Sequence, residues 1–197
     1  MKEYKMKCVI LGDSAVGKTS IIQHFLIGYF DERIDSTIGA SFVSKLFVNK
    51  EENETVKFQV WDTAGQERYS SLVPLYFRDA AMAIIMIDIT SRFSLDSAKR
   101  WIEYLHQKHQ DLSYLVVATK LDLIEQRTVY QDDLDKLPAP LRAPLSVSSL
   151  DATNFPDLRI VLEELLGCER EATPPPPKTP QSFNLYRPSK YPPSKCC

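Results

Sequence analysis

The stretch KCVILGDSAVGKTS, residues 7–20, decides the fold. Its apolar run, Cys8 to Leu11, reads as a buried strand, and GKTSIIQHFLIG carries apolar residues at helical spacing. Between them, GDSAVGKTS (12–20) fits G-x-x-x-x-G-K-[ST]. A strand running through that motif into a helix is the context of a phosphate-binding P-loop. Backbone N–H groups of Ser14, Ala15, Val16, Gly17, Lys18 and Thr19 can wrap the α- and β-phosphates, with Ser20 completing the candidate contacts. The helix N-terminus adds favourable partial charge. Lys18 can reach the β- and γ-phosphates, and the Thr19 hydroxyl can ligate Mg²⁺. The bland alternative is a glycine-containing strand–helix turn, and the full motif in this context weighs against it. The loop alone implies a nucleotide phosphate, not which nucleotide.

The 197 residues predict one main domain with a tail. With 44% hydrophobic residues the chain can build one sizeable core, and a net charge of −2 gives no footprint for nucleic acid. No run approaches the ~20 apolar residues needed to span a bilayer. The N-terminal stretch MKEYKMKCVILGD reads as no signal peptide, and Lys2 after Met1 argues against myristoylation. Four cysteines, two of them terminal, form no disulfide framework, so a reducing cytosol is the expectation. Residues 174–197 hold eight of the 13 prolines, an extended chain that packs poorly. The expected domains are 1–168 and a flexible Pro-rich tail, 169–197.

Apolar runs alternate with helical patterns before that tail. Strands are expected at 7–13, 54–62, 81–88 and 114–120, with an alternating edge strand at 41–49. In FSLDSAKRWIEYLHQKH, Phe93, Leu95, Ala98, Trp101, Ile102 and Leu105 form the expected buried stripe. PDLRIVLEELLG (156–167) has proline near its start and glycine at its end, as a helix does. Pro138, Pro140 and Pro144 break the pattern after VYQDDLDKL, which predicts a short helix, an irregular loop and a last strand near LSVS. Such alternation implies a largely parallel sheet whose ligands bind beyond the carboxyl ends of the strands. Asp13, Asp62, Asp88, Lys120 and Asp122 all fall at such ends. The histidines, His24, His106 and His109, lie in helical patterns and read as surface or packing residues.

WDTAGQE (61–67) ends a strand with chemistry that suits a γ-phosphate. Asp62 can hold Mg²⁺ through a water. Gly65, lacking a Cβ, can bring its N–H close to the phosphate. Gln66 can orient an attacking water, and positioning is most of what phosphoryl transfer asks of such a residue. In VVATKLDLI (116–124), the charges after the strand are either a solvated exit or a ligand site.

DTAGQE together with GDSAVGKT resembles the Ras-like small GTPases. The resemblance implies the α/β P-loop GTPase fold: a mostly parallel six-stranded sheet, one antiparallel edge strand and about five helices. Thr37, 18 residues after Thr19, matches the switch I threonine that contacts Mg²⁺ and senses the γ-phosphate. Phe30 falls where relatives stack a ring on guanine, although a loop phenylalanine is often core or interface. TKLD departs from the family's usual N-K-x-D at Thr119. The Asp122 carboxylate would be a buried acceptor for guanine N1–H and the 2-amino group, which adenine cannot satisfy. The stem of Lys120 would lie along the base, its ammonium on P-loop carbonyls or the ribose. SVSSL (146–150) resembles the last base loop, where N–H groups around Ser148, Ser149 and Leu150 would meet O6; a plain serine-rich loop is the alternative.

Within that superfamily, IGASF, FQVWDTAGQERY, LYFRDA and IMIDIT resemble Rab proteins, with the early-endosomal group nearest. Phe42, Trp61 and Tyr76 match the aromatic triad that Rab effectors read, although part of it can be packing. Terminal Cys196 and Cys197 match the double-cysteine ending that is geranylgeranylated, and two chains give stable anchoring where one does not. The tail would be a spacer reaching ~90 Å when extended. The implied function is a monomeric, membrane-anchored GTP/GDP switch in vesicle trafficking, with Mg²⁺ as cofactor. It would hydrolyse GTP slowly, because no arginine finger is visible in the chain. Its partners would be an exchange factor, an activating protein, a dissociation inhibitor or escort protein, and effectors. It would sit on the cytoplasmic face of endomembranes, endosomal ones included, with a chaperone-bound cytosolic pool. The alternative, motivated by Thr119 and the irregular 138–144 segment, is a pseudo-GTPase scaffold. A P-loop nucleotide kinase would leave DTAGQE and TKLD without a role.

Overall fold

β1 (Lys2–Leu11) lies at the centre of a six-stranded sheet, hydrogen-bonded on one side to β3 (Glu54–Thr63) and on the other to β4 (Met82–Asp88). The computed structural model describes residues 2–28, 37, 40–49, 54–63, 73–138 and 142–165. The remaining strands are β2 (Ala40–Asn49), β5 (Ser113–Thr119) and β6 (Leu145–Ser146), in the order β2-β3-β1-β4-β5-β6. Only β2 runs antiparallel within this sheet, paired to β3 at the edge, as the alternation at 41–49 predicts. β1 extends N-terminally beyond the expected start, through the mixed stretch KEYKM, because Lys2 to Ile10 pair continuously with Glu54 to Asp62.

The helices are α1 (Lys18–Ile22), which continues as a π turn over Gln23–Ile27, α2 (Val73–Phe77), α3 (Arg92–Lys108), α4 (Gln131–Asp135) and α5 (Phe155–Leu165). Side chains of β1 alternate between the sheet's two faces. Cys8 and Ile10 join one core with Ile21 and Ile22 of α1 and Leu158 and Leu162 of α5. Val9 and Leu11 join the other with Leu95, Ala98, Ile102 and Leu105 of α3. Every residue of β4, and all but the first of β5, is buried, as expected of strands covered on both faces. Each such buried Ile, Leu or Val contributes on the order of 1.5–3 kcal/mol.

α3 starts at Ser91, whose side chain accepts the Ser94 N–H, and its apolar stripe faces β4. Phe93 does not belong to that stripe: it is 68% exposed, with the Arg100 guanidinium over its ring. Residues two apart do not share a helix face, so Leu95 turns Phe93 outward. Among the described residues no helix is long and apolar enough to cross a membrane. The expected boundary at 168/169 and the tail lie outside the described residues.

The connections reverse direction at β1, which makes the crevice beyond its carboxyl end a topological switch point. The P-loop, the ends of β3, β4 and β5, and the segment after β6 all open onto that side of the sheet.

Candidate nucleotide site

The P-loop leaves β1 through Gly12, at φ 142°, and enters α1 through Gly17, at φ 92°. A Cβ at Gly12 would stand 2.7 Å from the Met86 carbonyl oxygen, so the close approach of loop to β4 requires glycine. Lys18 turns back across the loop. Its Nζ donates to the carbonyls of Gly12 (3.0 Å) and Asp13 (2.6 Å). Burial lowers the Lys18 pKa, while the carboxylates of Asp62 and Asp13 pull it back up. Asp13 is tied to α3 through Ser97, whose hydroxyl donates to Oδ1 at 2.6 Å. Ser14 and Ala15 are exposed at the loop's tip, whereas Val16 is buried beneath it.

Three elements converge on Asp62. Its Oδ2 accepts the Thr19 hydroxyl at 2.6 Å, the Thr37 hydroxyl at 3.3 Å and the Ser41 hydroxyl at 3.4 Å. The Thr19 and Thr37 hydroxyl oxygens are themselves 2.9 Å apart. Asp62 Oδ1 is buried without a hydrogen-bond partner among the described residues. Burial raises the Asp62 pKa, against the bonds from Thr19, Thr37 and Ser41 and the Lys18 charge. A buried carboxylate with an unpartnered oxygen beside two hydroxyls is a donor set that fits a hard divalent cation. Thr19, Thr37 and Asp62 are thus the residues that would hold Mg²⁺.

At the other end of the crevice, Thr119 is fully buried. Its hydroxyl lies 2.6 Å from the Val16 carbonyl and 3.2 Å from that of Ile87, either of which it can donate to. The hydroxyl at this position therefore ties β5 to the P-loop. Lys120, at φ 61°, pairs its ammonium with Asp88 Oδ2 at 2.6 Å rather than with a P-loop carbonyl, one of the two partners expected for it beside the ribose. Asp88, nearly buried at the end of β4, also accepts from the N–H and hydroxyl of Thr90, so it is a ready-made anchor for that cation. Asp122 opens a 3₁₀ turn (Leu121–Gln126) and is exposed, which corrects the expectation of a buried carboxylate. The short turn carries it beyond the carboxyl end of β5. Ser148, itself fully buried, donates its hydroxyl to Asp122 Oδ1 at 2.6 Å and accepts the N–H groups of Leu150 and Asp151. Ser149 is buried and Leu150 half-exposed.

Of the aromatic triad, Phe42 and Trp61 meet edge-on at 5.8 Å across the β2–β3 ribbon. Phe42 is 45% exposed, and the Lys7 ammonium lies 4.3 Å above the Trp61 ring. Tyr76 instead packs in the core beside Phe77, as α2 lies on the face that holds α3. Phe30, Gly65, Gln66, Cys196 and Cys197 fall outside the described residues. One site neighbour was not legible in the sequence. His24, read as surface or packing, bonds the Ser149 carbonyl, and nothing in its helical pattern signals that long-range contact.

The Ras family profile matches residues 7–157, most of the chain. This chain belongs to the Ras family. It is 47% identical over 122 residues to the GTP-binding protein ypt5 of Schizosaccharomyces pombe, covering 61% of this chain and 57% of that protein. It is 35% identical over 195 residues to the dog Ras-related protein Rab-22A, covering 98% of each. The rice Ras-related protein Rab5A is 47% identical over 125 residues, 62% of this chain and 60% of that protein. Matches to several of these Rab relatives thus span little over half of their length, and the match to Rab-22A spans nearly all of it. Within that family the chain is a Rab protein, similar to Rab-22A and to plant Rab5 proteins.

Proposed function

We propose that this Rab protein is a membrane-anchored switch that binds GTP and GDP with Mg²⁺, hydrolyses GTP slowly and is read by effectors on endosomal membranes. The observation that carries the reading is the convergence of Thr19 and Thr37 on Asp62, next to a Lys18 held across the P-loop. The residues divide the work. Backbone N–H groups of residues 14–19 and the Lys18 ammonium bind the phosphates. Thr19, Thr37 and Asp62 hold the cation, which supplies charge neutralisation at the phosphates when bound. Thr37 would sense a γ-phosphate through this cluster, which is how such switches signal. Gly65 would meet that phosphate and Gln66 would orient the water.

Asp122, with Lys120, Thr119 and residues 148–150, reads guanine, and Phe30 stacks on it. Exposed Phe42 and half-buried Trp61 offer effectors an aromatic pair, with Tyr76 a supporting core residue. Cys196 and Cys197 carry the prenyl groups. An exchange factor, an activating protein that supplies an arginine, and a dissociation inhibitor or escort protein complete the cycle. The scaffold alternative gains nothing from Thr119, whose hydroxyl is engaged with the P-loop.

Purified protein incubated with labelled GTP and Mg²⁺, with phosphate release followed over time, tests the reading. Slow turnover that an activating protein speeds by ~10³–10⁵-fold is expected, with loss of that stimulation in Gln66→Leu. Stable GTP binding without phosphate release, even with an activating protein competent on a related Rab, would refute it.

A further inference from the structure

His24 stands five residues beyond Thr19, as the second residue of the π turn. Its Nδ1 lies 2.5 Å from the Ser149 carbonyl oxygen. A carbonyl oxygen only accepts, so His24 carries a proton on Nδ1 and donates it. The ring is clamped from the other side: it meets Phe155 edge-on at 5.0 Å, and Phe25 meets the same Phe155 edge-on at 5.7 Å. π turns of this kind recur at functional sites, where the extra residue redirects side chains. Here Phe25 and Leu26 pack against the core while His24 reaches the loop after β6.

The bond matters because of which peptide it holds. The Ser149 carbonyl and the Leu150 N–H belong to one planar unit. His24 engages the carbonyl, and Ser148 Oγ accepts the N–H at 3.2 Å. The same Ser148 hydroxyl donates to Asp122. The peptide is therefore fixed at both ends, and its fixed end links the helix after the P-loop to the segment beside Asp122.

We propose that His24 is a positioning residue for base recognition, holding the Ser149–Leu150 peptide so that the neighbouring Ser149 N–H faces guanine O6. This rests on the reading of residues 148–150 as the base loop. His24 touches no reacting atom. It acts through Ser149.

Dissociation of GDP and of 6-thio-GDP, in which sulfur, a weak acceptor, replaces O6, tests the proposal. Rates are compared in the Mg²⁺-loaded wild type, His24→Leu and His24→Asn. Wild type is expected to release 6-thio-GDP roughly fivefold faster than GDP, the effect of losing one ordinary hydrogen bond. His24→Leu, which keeps bulk and loses the donor, should release GDP roughly fivefold faster than wild type and bring the two rates together. His24→Asn places an N–H donor where Nδ1 stands and should restore both the rate and the ratio. If His24→Leu does not fold, His24→Gln, with its donor displaced by one bond, provides the same contrast. A variant that keeps the wild-type ratio while both rates rise equally would make His24 merely structural and overturn the proposal. A wild type that does not distinguish the two nucleotides would overturn the base-loop reading itself, and the proposal with it.

Discussion

The two ends of the crevice are built differently. At the phosphate end, buried charges face one another: Lys18 crosses the loop, and Asp62 gathers three hydroxyls on one oxygen and leaves the other without a partner among the described residues. At the base end, neutral hydroxyls do the holding: Thr119 on the P-loop carbonyl, Ser148 on Asp122 and on two backbone amides. Of its charges, Asp122 and the partly exposed Lys120 lie nearer solvent, and only Asp88, the anchor of Lys120, is nearly buried. Buried charge gives strong interactions at high desolvation cost, and it suits a ligand that is itself charged. A hydroxyl-braced, open carboxylate suits selection among uncharged bases. Grip and selectivity should therefore respond to separate substitutions.

The largest effect is expected at Lys18→Ala. Removing two charge-assisted bonds' worth of phosphate contact should weaken GTP and GDP alike by about 10³-fold in equilibrium titration. A loss confined to one of them, or of less than tenfold, would break the division at its stronger end. Thr119→Val keeps shape and removes the hydroxyl shared between Val16 and Ile87 carbonyls. Unfolding in denaturant should show a loss of about 2 kcal/mol, with guanine still preferred over adenine. A change of base preference instead would move Thr119 from brace to reader. Ser148→Ala should be milder. Asp122 loses one bond and two amides lose an acceptor, so GTP affinity should fall by roughly fivefold with its Mg²⁺ dependence unchanged. Altered Mg²⁺ dependence would show that the ends are coupled.

Much of this was legible in the sequence, for physical reasons that differ by residue. The strands and the P-loop follow from apolar runs ending in glycine and aspartate, because a buried parallel strand admits few other patterns. Thr19, Thr37 and Asp62 were readable by motif and spacing, and the structure brings their oxygens together. The sequence is least informative where a side chain chooses between partners far apart in the chain. Lys120 takes Asp88 over the P-loop, and His24 reaches 125 positions along to Ser149. Asp122 lies exposed because a 3₁₀ turn follows β5, and turn type is not written in TKLD. Phe93 shows the complementary limit: a hydrophobic residue inside an amphipathic helix still faces out when its position falls off the stripe.

The most direct test measures equilibrium binding of GTP, XTP and ATP to wild type and to Asp122→Asn, each with Mg²⁺ and with Mg²⁺ chelated. Xanthine carries an acceptor at the position where guanine carries the amino group that Asp122 would bind. Wild type should select GTP, and Asp122→Asn should invert the choice to XTP by about 100-fold while losing affinity on chelation as wild type does. Unchanged guanine preference in Asp122→Asn, or binding of ATP as tight as that of GTP by wild type, would contradict the account.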